Sequence, residues 1–255
     1  MRICTLFLLT VAFSLTSCRE GKKSVSISAQ QIVDSSITAS GGDLYRTKNK
    51  YFLFRDIRYV SELREEEVVL KRIFYKDSSQ IEDIRYKDGF ERFVDGNLVE
   101  VPDSLATAYS NSINSVHYFA YLPYGLNDRA VNKELMGVEE IKGVPFYKVK
   151  IGFDQEGGGS DYEDVYIYWF NKENYKIGYL AYDFHVNGGG IRFREAHNER
   201  YVEGIRFVDY RNYSPKKKEK VGIDSIGLYF NSDRLELLSE IDLEQIRITD
   251  PPNRS

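Results

Sequence analysis

The sequence predicts a mainly β protein built on antiparallel sheet, and three observations favour that class. Aromatic residues make up 14% of the 255 residues, with 20 Tyr and 15 Phe, and such side chains are enriched in strands. Apolar and polar positions alternate with a period of two, most clearly between residues 133 and 213. The predicted strands follow one another through short turns without intervening helices, which is typical of an antiparallel meander rather than a parallel α/β fold.

Two helices are predicted, and proline and glycine mark their boundaries. The first covers Ser28–Ser40, carries an apolar stripe, and is stopped by Gly41 and Gly42. The second covers Asp103–His117 and follows Pro102, which is typical of a helix start. Both segments are amphipathic, so each is expected to cover one strip of sheet.

The remaining periodic segments are predicted as strands. In chain order they are 51–59, 68–75, 147–153, 165–170, 175–186, 191–202 and 205–213. The segment Val221–Ile248 is left open between further strands and one short helix. Val165–Phe170 is apolar on both faces, so both sides of the sheet must be covered by other elements or must bind something.

The composition indicates a globular chain without the charge of a nucleic-acid binder. Hydrophobic residues account for 42% and charged residues for 29% of the sequence, as in folded proteins. Acidic residues number 39 and basic residues 35, which gives a net charge of -4. Because nucleic-acid binders usually carry a basic excess, we expect no nucleic-acid partner.

An apolar segment at the N-terminus predicts export. Arg2 precedes an apolar run of 13 residues, Ile3 to Leu15. A transmembrane helix needs about 20 apolar residues to cross ~30 Å of hydrocarbon, so this run is too short to be a stable span. Its length is that of a signal-peptide core.

The end of this run resembles the lipobox of bacterial lipoproteins, which is an apolar residue, two small residues and a cysteine. The residues here are Leu15–Thr16–Ser17–Cys18. The resemblance implies a signal peptide at 1–17, lipidation of the Cys18 thiol and a lipidated tether at 18–27. A single antiparallel β domain at 28–255 then follows. The alternative is an ordinary secretory signal with a chance cysteine.

Lipidation would anchor the chain to a membrane of the cell envelope, because each buried CH₂ of an acyl chain contributes ~0.8 kcal/mol. Sorting rules of enteric lipoproteins read Asp after the cysteine as inner-membrane retention. This chain has Arg19 there, so the resemblance implies the outer membrane. Cys4 leaves with the signal peptide, so no thiol remains for a disulfide, a zinc–thiolate site or a cysteine nucleophile.

A second resemblance concerns the fold. The stretch Val165–Glu173 is similar to a strand–turn pattern of the lipoprotein-localisation superfamily of periplasmic carriers and outer-membrane receptors, an apolar strand that ends in Asp or Asn before a Lys or Pro turn. This resemblance implies a curved antiparallel sheet or unclosed barrel with two or so short helices over its concave side. In that superfamily the hollow under the helices takes acyl chains.

Much of the chain also resembles an uncharacterised family of secreted bacterial lipoproteins. The similar stretches are 88–91, 115–118, 122–126, 153–159 and 185–190. Some members of that family carry a transferred label of deoxyribose-phosphate aldolase. Those aldolases are TIM barrels with a Schiff-base lysine, whereas this sequence has neither the βαβ rhythm nor a recognisable lysine motif.

The leading functional expectation is non-catalytic binding of an apolar or amphiphilic ligand, such as a lipid, with no cofactor. A cavity between the helices and the sheet is expected because amphipathic helices shield only strips of an aromatic sheet. Its lining is expected to include some of Phe52, Phe54, Tyr166, Tyr168, Phe170, Tyr182 and Phe184.

Two other classes of function stay open. A secreted hydrolase or lyase would use acid–histidine pairs, and strand alternation places Asp183 with His185 and Glu195 with His197. His197 lies six residues further along the second strand than His185's cross-strand partner, or ~20 Å away, so the two histidines are not expected to share a site. The alternative is polar residues on a half-solvated face. The third class is a scaffold component of an envelope complex, which would present a flat aromatic patch.

Two charged segments are further candidates. The loop from Asp154 through Glu156 to Asp161 offers carboxylates around glycines, which suits Ca²⁺, but a solvated hairpin loop is the interpretation that the sequence favours. Arg192 and Arg194 share one face of a strand, where an anionic headgroup would fit. The alternative for the two arginines is cross-strand pairing with Glu or Tyr.

Overall fold

A computed structural model describes residues 27–65, 67–156, 162–185, 188–216 and 220–252. Strands make up 52% and helices 22% of the structure, and the strands form two antiparallel seven-stranded sheets that are not closed into a barrel. The prediction of a mainly β fold with an unclosed antiparallel sheet and short helices is therefore confirmed. No helix within these ranges is both long enough and apolar enough to cross a bilayer.

The first sheet is a meander whose edge is completed from the other end of the chain. Its strands are β1 Asn49–Phe54, β2 Ile57–Arg64, β3 Glu67–Lys76, β4 Ser79–Arg85, β5 Phe90–Val94 and β6 Asn97–Val99. The last strand of the chain, β14 (Glu244–Thr249), pairs with β1, with Asn49 opposite Thr249. The spatial order is thus β14-β1-β2-β3-β4-β5-β6.

The second sheet follows the chain order without exchange. Its strands are β7 Val131–Ile141, β8 Val144–Phe153, β9 Val165–Asn171, β10 Ile177–Phe184, β11 Gly190–Val202, β12 Ile205–Pro215 and β13 Leu235–Ile241. Only residues 242 and 243 separate β13 from β14, so the chain passes directly from the second sheet into the first.

Within the described residues, four helices accompany the sheets. They are α1 Ala29–Ala39, α2 Leu44–Thr47, α3 Asp103–Ala120 and α4 Ile226–Asn231, with single 3-10 turns at Tyr124–Asn127 and Ile223–Ser225. The α1 start is a capping box, because Ser28 Oγ accepts from Gln31 N–H and Gln31 Oε1 accepts from Ser28 N–H. The segment left open at Val221–Ile248 contains the second 3-10 turn, α4, β13 and β14.

Both faces of the second sheet carry a hydrophobic core. On the inner face, Tyr168 and Phe170 of β9 pack with α1 residues such as Ile32. On the outer face, Trp169 packs with Phe230 of α4. The aromatic residues of β9 are thus covered on both sides, and α4 supplies one of the covers.

Helix α3 packs on the first sheet. His117 of α3 lies 5.7 Å from the ring of Phe52 and 5.6 Å from that of Tyr59. Nearer the N-terminus of the helix, the ring of Tyr109 lies under the guanidinium of Arg92. Arg92 in turn donates a hydrogen bond to the fully buried Asp83. The C-terminal end of α3 extends past the first sheet toward the second, where Tyr118 meets Tyr168 hydroxyl to hydroxyl at 2.8 Å.

Candidate functional site: an apolar cavity beside Arg194

A cavity of about 100 Å³ lies between α3 and the two sheets. Its lining is mostly apolar and comes from β1, α3, β11, β12 and the passage from β13 to β14. The lining residues are Phe54, Ser115, Val116, Phe119, Ala120, Arg194, Val208, Tyr210, Ile241 and Leu243. Ser115 is exposed and lies at the edge, whereas Val208 and Tyr210 are buried and form the floor.

Helical spacing explains how α3 lines the cavity with some residues and packs on the first sheet with others. Val116, Phe119 and Ala120 lie at intervals of three and four residues, so they share one face and line the cavity. His117 lies beside that face and is buried against the first sheet. One helix therefore bridges two sheets and leaves a gap where its apolar stripe is too narrow to fill the space.

The far wall of the cavity is fixed by a hydrogen-bonded bend between β13 and β14. Leu243 N–H donates to Asp209 Oδ1 at 2.9 Å, and Arg200 donates both to Asp209 and to the Leu243 carbonyl. The buried carboxylate of Asp209 thus holds the passage between the sheets in place. Ile241 and Leu243, at this bend, face the cavity.

Arg194 is the charged group of the cavity wall. Its side chain projects from β11 on the inner face of the second sheet, and only 9% of the residue is exposed. Its Nη2 donates to the Tyr182 hydroxyl at 2.9 Å, and its guanidinium lies 4.0 Å from the centre of the Phe119 ring. Its Nε is buried and has no hydrogen-bond partner among the residues that the structure describes.

The size of the cavity limits what it holds in this conformation. An apolar cavity of about 150 Å³ accommodates a benzene molecule, whereas pockets for larger ligands measure roughly 300–1,000 Å³. The space of about 100 Å³ therefore suits one end of an acyl chain. A whole chain requires α3 or the Phe119 side chain to move.

The aromatic residues that were expected to line a cavity differ in how close they lie to the observed one. Phe54 lines the cavity, and Tyr182 lies behind it as the partner of Arg194. Tyr166 stacks on Tyr182 at 5.7 Å, next to Phe119. The others lie in packed surroundings away from the cavity, namely Phe52, Tyr168 and Phe170, which are at most 1% exposed, and Phe184, which lies under Arg192.

Several lining residues were missed by sequence reasoning. Val208, Ile241 and Leu243 were not singled out, although the alternation in β12 signals which of its residues face inward. Arg194 was singled out through its shared face with Arg192. Nothing local in the sequence indicates that Ile241 and Phe54 meet, because they belong to different sheets.

The four acid and histidine candidates are spread along the second sheet, and Asp183 and Glu195 lie on its opposite face from the cavity. Asp183 pairs with Ile191 and Glu195 with Tyr179, so four residues, or ~13 Å, separate the two carboxylates along the hairpin. His197 lies two residues beyond Glu195, opposite Asp209. The structure does not bring these groups together.

Each of these candidates has its own local surroundings. His185 Nδ1 lies 3.3 Å from Asp164 Oδ1, and Glu195 accepts from the Tyr213 hydroxyl at 3.0 Å. The Nε2 atom of His197 is buried without a hydrogen-bond partner in the described part of the chain. These contacts are those of single polar residues on a sheet face, not of one shared cleft.

The acidic loop is described only in part. Asp154 Oδ1 accepts from Asn132 Nδ2 at 2.7 Å, and Glu156 is exposed. Asp161 and Cys18 lie outside the described residues. Within the described ranges, no group of three or more His, Cys, Asp or Glu side chains is arranged to bind a metal ion.

Comparisons with known proteins identify a family and a similar fold. Residues 3–243 match a family model described as "Family of unknown function (DUF6503)". No curated protein matches the sequence. Among solved structures, the chain resembles a LolA superfamily protein from Nitrosomonas europaea with a TM-score of 0.50 and 11% identity, over 89% of this chain and 96% of that one.

Two further solved structures are more distant. One is a DUF1329 family protein from Desulfovibrio piger, with a TM-score of 0.43, 10% identity and coverage of 87% of this chain and 93% of that one. The other is a Vibrio parahaemolyticus domain with the provisional name of outer membrane lipoprotein-sorting protein, with a TM-score of 0.40, 8% identity and coverage of 85% and 93%. The likeness to the LolA superfamily protein confirms, for the fold, the expected resemblance to the lipoprotein-localisation superfamily.

Proposed function

The chain belongs to this family of unknown function, and we propose that it is a membrane-anchored lipoprotein that binds an apolar or amphiphilic ligand without catalysis. The observation that carries the proposal is the apolar cavity between α3 and the two sheets. A cavity lined by apolar groups with few polar ones is what a small-ligand site requires. The fold shared with a LolA superfamily protein supports a binding function by analogy.

The free energy of binding would come from burying methylene groups. Removing apolar surface from water contributes ~25 cal/mol per Å², or about 0.8 kcal/mol for each CH₂. A few methylenes inside the cavity therefore contribute several kcal/mol before the cost of ordering the chain, by the same rule. This suits a ligand with an alkyl chain better than a fully polar one.

A larger ligand would require the cavity to open toward the aromatic residues on the far side of Phe119. That ring separates the cavity from Tyr166 and Tyr182, at 6.5 Å and 5.5 Å. If the Phe119 side chain turns aside, the site extends along the inner face toward Tyr166 and Tyr182. Several of the aromatic residues expected from the sequence would then contact the ligand.

The proposed location is the cell envelope, with the chain anchored through Cys18 in the outer membrane. The lipobox pattern and Arg19 support this location. The proposed anchor is joined to the β domain by the short tether at 18–27.

Ligand binding can be tested by displacement of a fluorescent fatty acid from the chain without residues 1–18, after circular dichroism has verified folding. We expect binding at micromolar concentration. Val208→Phe fills the cavity floor and should weaken binding about tenfold, since it removes the space for one or two methylenes at about 0.8 kcal/mol each.

The matched control is Leu237→Phe, because Leu237 is 52% exposed on β13 and away from the cavity. This variant should bind as the parent chain does. Absence of binding by the folded parent chain would contradict the proposal and favour a scaffold role. Equal weakening by both substitutions would show that binding occurs elsewhere.

A further inference from the structure

The geometry around Arg194 points to a headgroup subsite: we propose that the ligand carries a carboxylate that Arg194 binds at the cavity wall, as in a fatty acid. The inference rests on the proposed function, since it names the chemical class of the ligand of that same cavity. In this proposal the guanidinium binds the carboxylate, and the apolar lining contacts the alkyl chain.

The first argument is burial without a counter-ion. Buried charges in proteins are generally paired, because leaving water is costly for an isolated charge. Arg206, another buried arginine, follows this rule and bonds to Glu199 at 2.6 Å. Arg194 forms no ion pair with any residue in the described ranges, so its charge is left for an anion to neutralise.

The second argument is the orientation of the donors. The Tyr182 hydroxyl holds Nη2, and the Phe119 ring supports the plane of the guanidinium at 4.0 Å. These contacts leave Nε–H as a buried donor without a described partner. The Tyr182 oxygen accepts from Arg194, so its own hydroxyl proton can be donated to the same anion.

The third argument is the kind of anion. The space of about 100 Å³ is small, and its other walls, such as Val208 and Ile241, are apolar. A carboxylate takes little of that space and leaves the remainder to its alkyl chain. An alcohol and a carboxylate both accept hydrogen bonds from Arg, but only the carboxylate brings a negative charge that pairs with the guanidinium, so we expect about a tenfold preference for the acid.

The test uses the full chain in membranes of cells that express it. Membranes are labelled at pH 8 with a photoreactive palmitic acid or with the photoreactive alcohol of the same length. The variants are Arg194→Met and, as a matched control, Arg192→Met. Arg192 lies two residues away on the same strand face and stacks on Phe184, but it does not line the cavity.

The inference predicts about tenfold more labelling of the wild-type chain by the acid than by the alcohol. Arg194→Met should lose this preference and keep its labelling by the alcohol, and Arg192→Met should behave as the wild type. Equal labelling of the wild type by both probes would overturn the carboxylate subsite and leave the proposed function intact. Labelling by neither probe would overturn both.

Two other results are also decisive. If Arg192→Met loses the preference as fully as Arg194→Met does, general surface charge explains it and the subsite is overturned. If Arg194→Met loses labelling by both probes, Arg194→Lys decides, because it restores the positive charge. Regained labelling by the acid would then support the subsite, and continued loss would overturn it.

Discussion

At the scale of single residues, His117 shows how burial sets protonation. The residue is 2% exposed beneath α3 and faces the rings of Phe52 and Tyr59. Burial, with smaller contributions from the charges of Lys50 and Arg85, lowers the pKa of His117 to about 3. The neutral ring therefore donates from Nε2 to the Lys71 carbonyl, at 3.2 Å.

This pKa predicts a pH dependence of stability. An unfolded histidine titrates near 6.5, so between about pH 6.5 and 3 only the unfolded state binds the proton, and stability falls as the pH falls. Between pH 7.5 and 5, the wild type should lose about 2 kcal/mol more free energy of unfolding than His117→Gln. Urea unfolding at both pH values measures this difference, and parallel losses would refute it.

At the scale of secondary structure elements, α4 exists because of what it covers. A helix of six residues is too short to be stable alone, so tertiary packing must hold it. Phe230 supplies that packing, since its ring stacks on Phe193 at 4.6 Å and lies in the same core as Trp169. The close approach is made possible by Gly227, where a Cβ would contact Ile141 at 2.9 Å.

Loss of this packing should be measurable in stability and in fluorescence. Phe230→Ala should lower the free energy of unfolding by about 3 kcal/mol, the usual range for a buried Phe. It should also shift the emission of Trp169, the single tryptophan, to longer wavelength as the outer core becomes wet. Leu228→Ala is the control on the same helix, because Leu228 is 58% exposed and its loss should change neither quantity. Equal effects of the two changes would contradict this account of α4.

At the scale of the whole molecule, the two sheets are joined by the passage from β13 to β14. The pairing of β14 with β1 brings together Thr249 and Asn49, which are 200 positions apart in the sequence. With this long-range pairing, Phe54 of the first sheet and Val208 of the second line the same cavity. The cavity is therefore a property of the complete fold.

The whole molecule is also the scale at which anchoring is tested. The lipobox predicts that the mature chain begins at acylated Cys18 and sediments with membranes. Cys18→Ala should release the chain from the membrane fraction or leave it with its signal peptide, because no thiol accepts the lipid. Fractionation with mass spectrometry of the N-terminus measures this outcome. An unmodified Cys18 in membrane-bound wild-type chain would contradict it.

The sequence by itself determined the fold class and part of the elements, chiefly α1, α3 and the strands β8 to β12. It predicted one strand over 51–59, where the structure has the hairpin of β1 and β2 with its turn at Arg55 and Asp56. The capping residue Ser28 and the glycine at position 42 bound α1, and period-two alternation predicted strands such as β8 and β12. These signals are local, since they depend on caps, turns and side-chain alternation within a few residues. That Arg192 and Arg194 share one face of β11 followed from the same alternation, whereas the structure showed that this face is the inner one.

Only the tertiary structure decided the cavity and the role of α4. Alternation shows which residues share a face of a strand, but not which other sheet or helix meets that face. The segment Val221–Ile248 stayed open for this reason, because α4 is held by Phe193 and its neighbours rather than by its own sequence. Likewise, the lack of an ion pair at Arg194 became visible only once Tyr182 and Phe119 were placed around it.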